Sequence, residues 1–264
     1  MKKSIETFIF SSFVLLLFST FSFGNPTVRS ASGVNAGAIL PAINDFRDDL
    51  GALNPNVQGS FPGGRREINW DAVPDTFSSP NPLPANFFNL NSPRGAVFST
   101  PCNNAAFFVS ARLNNPTNTP VRFGEIDPSY TNTFQVFSPE RLFTVRSSSA
   151  PCNALTINFF VPGTNIPAET SGFGAVFTDV DVPGHVHIIA YDRNGRVLSR
   201  GVLTAERADR GLSFIGVSYA TPAIARVDIV SGKNGLFPGI IDGFRGNDVV
   251  AMDDFIYGEP QPIN

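Results

Sequence analysis

Apolar and polar residues follow two different periods along this chain. Between residues 38 and 53, Ile39, Ile43, Phe46, Leu50 and Leu53 recur at intervals of four, three, four and three, the stripe of an amphipathic helix. Gly51 and then Asn54-Pro55 end it. From residue 64 the pattern changes to short apolar runs bounded by turn residues. Strands are expected at 65–70, 96–99, 105–113, 121–125, 142–146, 155–161, 174–180, 186–192, 197–204, 213–219, 225–230 and 249–257. Asn194-Gly195, inside YDRNGRVL, is the strongest hairpin signal in the chain. No helical stretch separates the strands, which disfavours a parallel sheet. The expected fold is all-β: a two-layer antiparallel β-sandwich with one short N-terminal helix.

Composition agrees. The chain of 264 residues holds 23 Gly, 22 Pro and 26 Phe, too many turn residues for a helical bundle. Net charge is −3, and Lys2-Lys3 and Arg65-Arg66 are its only basic runs, so nucleic acid is excluded as a partner. Residues 1–24 read as a signal peptide. Lys2 and Lys3 make the basic start, residues 8–21 the apolar run, and Ser22 and Gly24 the small residues before cleavage. The run is shorter than the ~20 residues of a bilayer span, so a secreted or periplasmic protein without a membrane span is expected.

The remaining organisation reads as a leader at 25–63, flexible over 25–37 and carrying the helix at 38–53 docked on the domain edge. A single sandwich at 64–258 and a C-terminal tail at 259–264 follow. Segments 72–95 and 114–141, rich in Pro, Asn, Ser and Thr, are expected as long surface loops and as the place to look for binding.

Cys102 and Cys152 lie in similar contexts, STPCNNA and SAPCNA, each before an apolar run. In an oxidising compartment such a pair is a disulfide. Closing a loop of about 50 residues contributes ~4 kcal/mol in the chain-entropy model. If both cysteines open strands, those strands run in similar directions or face each other across two sheets, because bonded cysteines bring their Cα atoms within ~7 Å.

In the C-terminal third, SGFGAVFTDV, HIIAYDRNGRVL, GLSFIGVSYATPAIARVDIVSG and VVAMDDFIYG follow one another. This order resembles the closing half of jelly-roll domains in exported bacterial proteins, including carbohydrate-binding modules of the galactose-binding-like type. GRREINWDAVPD, PANFFN and SPRGAVFST are similar to bacterial secreted proteins of unassigned function. The resemblance implies a jelly-roll sandwich. It also implies that an acidic residue of the last strand helps to hold a structural Ca²⁺.

Asp253 and Asp254 are adjacent on that last strand, so their side chains are expected on opposite faces, one of them toward the core. A buried carboxylate must meet a Ca²⁺ ion, an arginine such as Arg226 or Arg65, or backbone N–H groups. Asp71 and Asp75 would supply further oxygens to a calcium site. Asp179 and Asp181, in TDVDVPG, share one side of a strand end and suit a cation, an acid–base pair or a solvated edge. His185 and His187 likewise share a side, with no third metal ligand nearby. Trp70 is either a sugar-stacking platform or core. No GxSxG and no phosphate-loop spacing occurs, and nothing selects a glycosidase pair. The sequence thus favours a non-catalytic exported protein that binds extracellular glycan or another surface ligand through Trp70, Asp179 and Asp181. The alternatives are a secreted polysaccharide hydrolase or lyase, or a structural matrix component.

Overall fold

Alternation of inward and outward side chains builds two antiparallel sheets in the computed structural model, which describes residues 25–202 and 210–263. The signal peptide expected at 1–24 and the end of the strand expected at 197–204 lie outside the described residues. The chain runs through β1 (Thr27–Gly33), helix α1 (Ala36–Leu50), β2 (Arg65–Ile68), β3 (Ala96–Ser99) and β4 (Ala105–Val109). Next come β5 (Phe143–Ser147), β6 (Ala154–Phe159), β7 (Ala168–Glu169), β8 (Gly172–Thr178) and β9 (His187–Tyr191). It closes with β10 (Val197–Val202), β11 (Leu212–Ser218), β12 (Arg226–Val230), β13 (Ala251–Gly258) and β14 (Gln261–Pro262).

Among the described residues the larger sheet has seven strands, ordered β1-β11-β8-β13-β5-β4 with β2 also paired to β13. The second has five, ordered β10-β9-β12-β6-β3, and β14 with β7 forms a small ribbon. From β3 onward the chain crosses repeatedly from one sheet to the other, the jelly-roll manner of closing a sandwich. Asp192 to Arg196 turn the hairpin between β9 and β10, with Gly195 at φ 75°. The disulfide joins Cys102, before β4, to Cys152, before β6, with Cα atoms 6.1 Å apart, so it links the two sheets.

The inter-sheet core is aromatic. Trp70 stacks on Phe143 at 4.2 Å between ring centroids and meets Phe88 and Phe255 edge-on. On the outer side of the larger sheet, α1 buries Ile39, Ile43, Phe46 and Leu50 against Val176, Phe214 and Ile256. Gly174 and Gly216 are direct cross-strand partners. A Cβ on either would stand under 3 Å from the Phe46 ring, so this glycine pair is the notch that admits the helix. The helix is therefore a core element. Asn35 caps its start by accepting from Ala38 N at 3.1 Å, and Gly51, at φ 92°, stops it before Leu53.

Several expectations are corrected. Residues 27–33, read as part of a flexible leader, form edge strand β1, paired with β11 along its whole length. Its sequence TVRSASG lacks apolar alternation because most of it faces water. The strand expected at 121–125 is a succession of turns, in which Phe123 plugs into a cluster with Ile126, Tyr130 and Phe134. Segment 114–141, expected as a binding loop, instead covers part of the larger sheet, its apolar residues meeting Leu142 and Ala251. The tail expected at 259–264 is anchored over its described part: Glu259 forms a buried ion pair with Arg66 at 2.5 Å, and Gln261–Pro262 pair with β7.

Candidate functional site

The two sheets differ in what covers them. Strands β8, β11 and β13 are buried at every position, on both faces. Strands β6, β9 and β12 alternate half-buried with buried residues, the pattern of a sheet with one face left to solvent. Register fixes what that open face carries. One row across it reads Tyr191, Arg226, Asn158 and Val97. The next reads Arg200, Ile189, Asp228, Thr156 and Ser99.

These side chains hold one another in place. The Arg226 guanidinium lies 3.9 Å from the Tyr191 ring centroid. Its Nε stands 3.4 Å from Asp228, and Thr156 Oγ1 donates to the same carboxylate at 2.8 Å. Beyond the Tyr191 row the face runs into a cleft of about 260 Å³ lined by Asn158, Arg226, Asp192 and Arg193. Such a surface offers planar donors and acceptors beside one aromatic ring, with both signs of charge interspersed. None of its residues stood out in the sequence as part of a ligand face, Arg226 having been expected to meet a buried carboxylate instead, although the alternation of β6, β9 and β12 is visible there.

A second constellation sits at one end of the sandwich. Asp179, Asp181 and Asp242 each bring a carboxylate oxygen within 4.8 Å of the others, a group that could hold a metal ion. Asp179 follows β8 with φ 70°, an uncommon conformation for a non-glycine residue, and its carboxylate accepts from Arg210 N at 3.1 Å. Asp248 adjoins the group, accepting from Asp181 N at 3.3 Å and meeting His185 Nδ1 at 2.7 Å. Burial raises the pKa of Asp242, and the charge of Asp248 adds to it. Burial raises Asp248 as well, against the pull of His185. The sequence paired Asp179 with Asp181 but could not reach Asp242 or Asp248, which arrive after four further strands. His187 stays on the open face while His185 turns to Asp248, so the two do not act together as ligands.

Asp71, Asp75, Asp253 and Asp254, expected as a metal set, do not converge as one group among the described residues, although Asp71 lies near enough to Asp253 and Asp254 for their charges to interact. Asp75 is taken by two cations, Arg141 at 2.7 Å and Arg112 at 2.6 Å, which hold its carboxyl below the usual range. Asp71 accepts from Glu140 N and Arg141 N, and burial pushes its pKa up to about 6. Asp253 and Asp254 do not point to opposite faces. The register of β13 on β8 shifts between Met252 and Phe255, a bulge that sets two residues against one. Both carboxyls consequently reach the Ser138 hydroxyl, and Asp253 also accepts from Phe137 N at 2.6 Å. Burial, reinforced by the charge of Asp254, holds Asp253 well above the carboxylate range. Arg226 and Arg65, the arginines expected as partners, bond elsewhere.

Trp70 is corrected as a ligand residue. Its side chain is 1% exposed inside the aromatic core and its Nε1 donates to Asp253 O at 2.8 Å, so no sugar ring can reach it.

Among the described residues no helix is long and apolar enough to cross a membrane. The disulfide fits an extracellular protein. No family model matches the chain, and no curated protein matches it. Among solved structures the chain is similar to a family 29 carbohydrate-binding module, a mutant made to probe its ligand recognition. The match has 9% identity and a TM-score of 0.24, and covers 62% of this chain and 91% of that one.

Proposed function

We propose that the protein is a secreted, non-catalytic β-sandwich that binds a neutral extracellular glycan across the open face of the five-stranded sheet. The observation that carries this reading is the row Tyr191, Arg226 and Asn158 on the uncovered face, leading into the cleft beside Asp192 and Arg193. A hydroxyl-rich polymer needs planar hydrogen-bonding groups next to an aromatic ring, and this row supplies them. Mixed charge on the face disfavours a polyanion, which would call for a basic surface. A glycosidase would need two carboxylates about 5 to 10 Å apart. The face and its cleft offer Asp228, bonded to Thr156, and Asp192, tied to Arg196, so both carboxylates are already engaged, which supports binding over hydrolysis.

The test is calorimetric titration of the purified protein with neutral oligosaccharides drawn from a glycan array. Tyr191→Ala and Arg226→Ala are each expected to weaken binding at least roughly tenfold, in line with loss of a stacking or charged contact. Asp45→Asn, on the far side of the molecule, is expected to leave it unchanged. Equal affinity in all three variants would refute the reading.

A specific observation favours Ca²⁺ as an accessory to this function. Asp179, Asp181 and Asp242 present hard oxygen donors, the chemistry of calcium rather than of soft metals. A cation there would offset the crowding of carboxylates at that end of the sandwich.

A further inference from the structure

Where β1 and β10 form the open edge of the sandwich, the aromatic filling of the core gives way to a cavity of about 180 Å³. Inside, it is walled by Phe173, Ile215 and Val217 of the larger sheet and by Ile188, Ser199 and Gly201 of the other, and the exposed residues Val28, Ser30 and Arg200 complete its lining toward solvent. Register explains the space. Ser199 and Gly201 pair with Ala190 and Ile188, whose side chains are buried, so the small residues 199 and 201 face the opposite sheet. A Cβ on Gly201 would come within 2.7 Å of Ile215 Cδ1, so even one more methyl group would crowd this wall.

One polar atom on the inner walls is out of keeping with them. The Ser199 hydroxyl oxygen is buried and has no hydrogen-bond partner among the described residues. A buried hydroxyl left unbonded is destabilising, and an apolar cavity of about 150 Å³ is already large enough for benzene. Space for a six-membered ring, apolar inner walls and one buried, unbonded hydroxyl define one class of occupant.

We infer that the cavity between β1 and β10 binds a small apolar molecule bearing one hydroxyl or carbonyl group, with Ser199 as its hydrogen-bond partner. The site opens between the sheets, and apart from Arg200 none of its lining belongs to the two rows of the glycan face. Benzyl alcohol and toluene, nearly equal in shape, serve as probes, read by the methyl NMR signals of Ile188, Ile215 and Val217. Both are expected to shift these signals saturably, benzyl alcohol binding roughly five- to tenfold tighter. Ser199→Ala should bring benzyl alcohol down to the affinity of toluene, and Ser199→Leu, which fills the space, should abolish both. Absence of saturable shifts in the native protein overturns the inference, as does equal affinity for the two probes. Should the leucine variant fail to fold, the alanine variant decides alone: an undiminished preference for benzyl alcohol also overturns it.

Discussion

Asp253 and Asp254 meet on the same hydroxyl, Ser138 Oγ, at 3.3 and 2.6 Å, because a bulge in β13 turns two neighbouring carboxyls the same way. Both are buried, and both have raised pKa values. A raised folded value means that the native state keeps a proton that the unfolded chain releases near pH ~3.9. The contribution of this group to stability is therefore full below that pH and declines as pH rises toward the folded value. In Asp253→Asn the amide keeps the hydrogen bonds without titrating. Its melting temperature should gain on the wild type from about pH 4 upward and then level off. A constant difference across the range would contradict a buried Asp253 carboxyl that keeps its proton in the folded state.

The Cys102–Cys152 bridge closes a loop with a sequence separation of 50 and ties one sheet to the other. Replacing both cysteines with alanine is expected to lower unfolding stability by about 4 kcal/mol, measured by urea denaturation. A loss much below that would mean that the reduced chain already holds these segments together.

Trp70 separates core from ligand site. Trp70→Ala should cost about 3–5 kcal/mol, since it removes the stack on Phe143 and the bond to Asp253 O. Glycan affinity of the folded fraction should not change, whereas Tyr191→Ala should show the reverse. An affinity loss in the Trp70 variant at full folding would place the ligand elsewhere.

Calcium gives a further measurement. At a free concentration 100 times its Kd the ion should add about 2.7 kcal/mol, seen as a higher melting temperature that a chelator reverses. Asp242→Asn should abolish that response, because it removes one of the three converging carboxylates. An identical melt with calcium and with chelator would eliminate the ion.

A chain begun at residue 64 should associate and melt early, since without α1 the side chains of Val176, Phe214 and Ile256 face water. Light scattering distinguishes this from a monomer.

How much was legible follows from which signals are local. Ile39, Ile43 and Phe46 announced their helix because an amphipathic stripe lies within one segment, and the hairpin at Asn194-Gly195 did so for the same reason. The two cysteines could be paired by compartment and count alone. Strand β1 was missed because an edge strand bathed in water needs no apolar face, and Arg29 is tied instead to Asp49 of the helix. The side choice of Asp253 and Asp254 failed because a bulge is a property of register between β13 and β8, which one strand's sequence does not contain. Asp242 reached Asp179 and Asp181 through the fold, and no spacing rule spans that distance.

The unequal clothing of the two sheets has an evolutionary consequence. Substitution in β8, β11 or β13 disturbs packing whichever side it falls on, while positions such as Tyr191, Asn158 and Ser99 can vary with little penalty to folding. Descendants of this chain can therefore retune what they recognise by changing a handful of side chains on a scaffold that stays fixed beneath them.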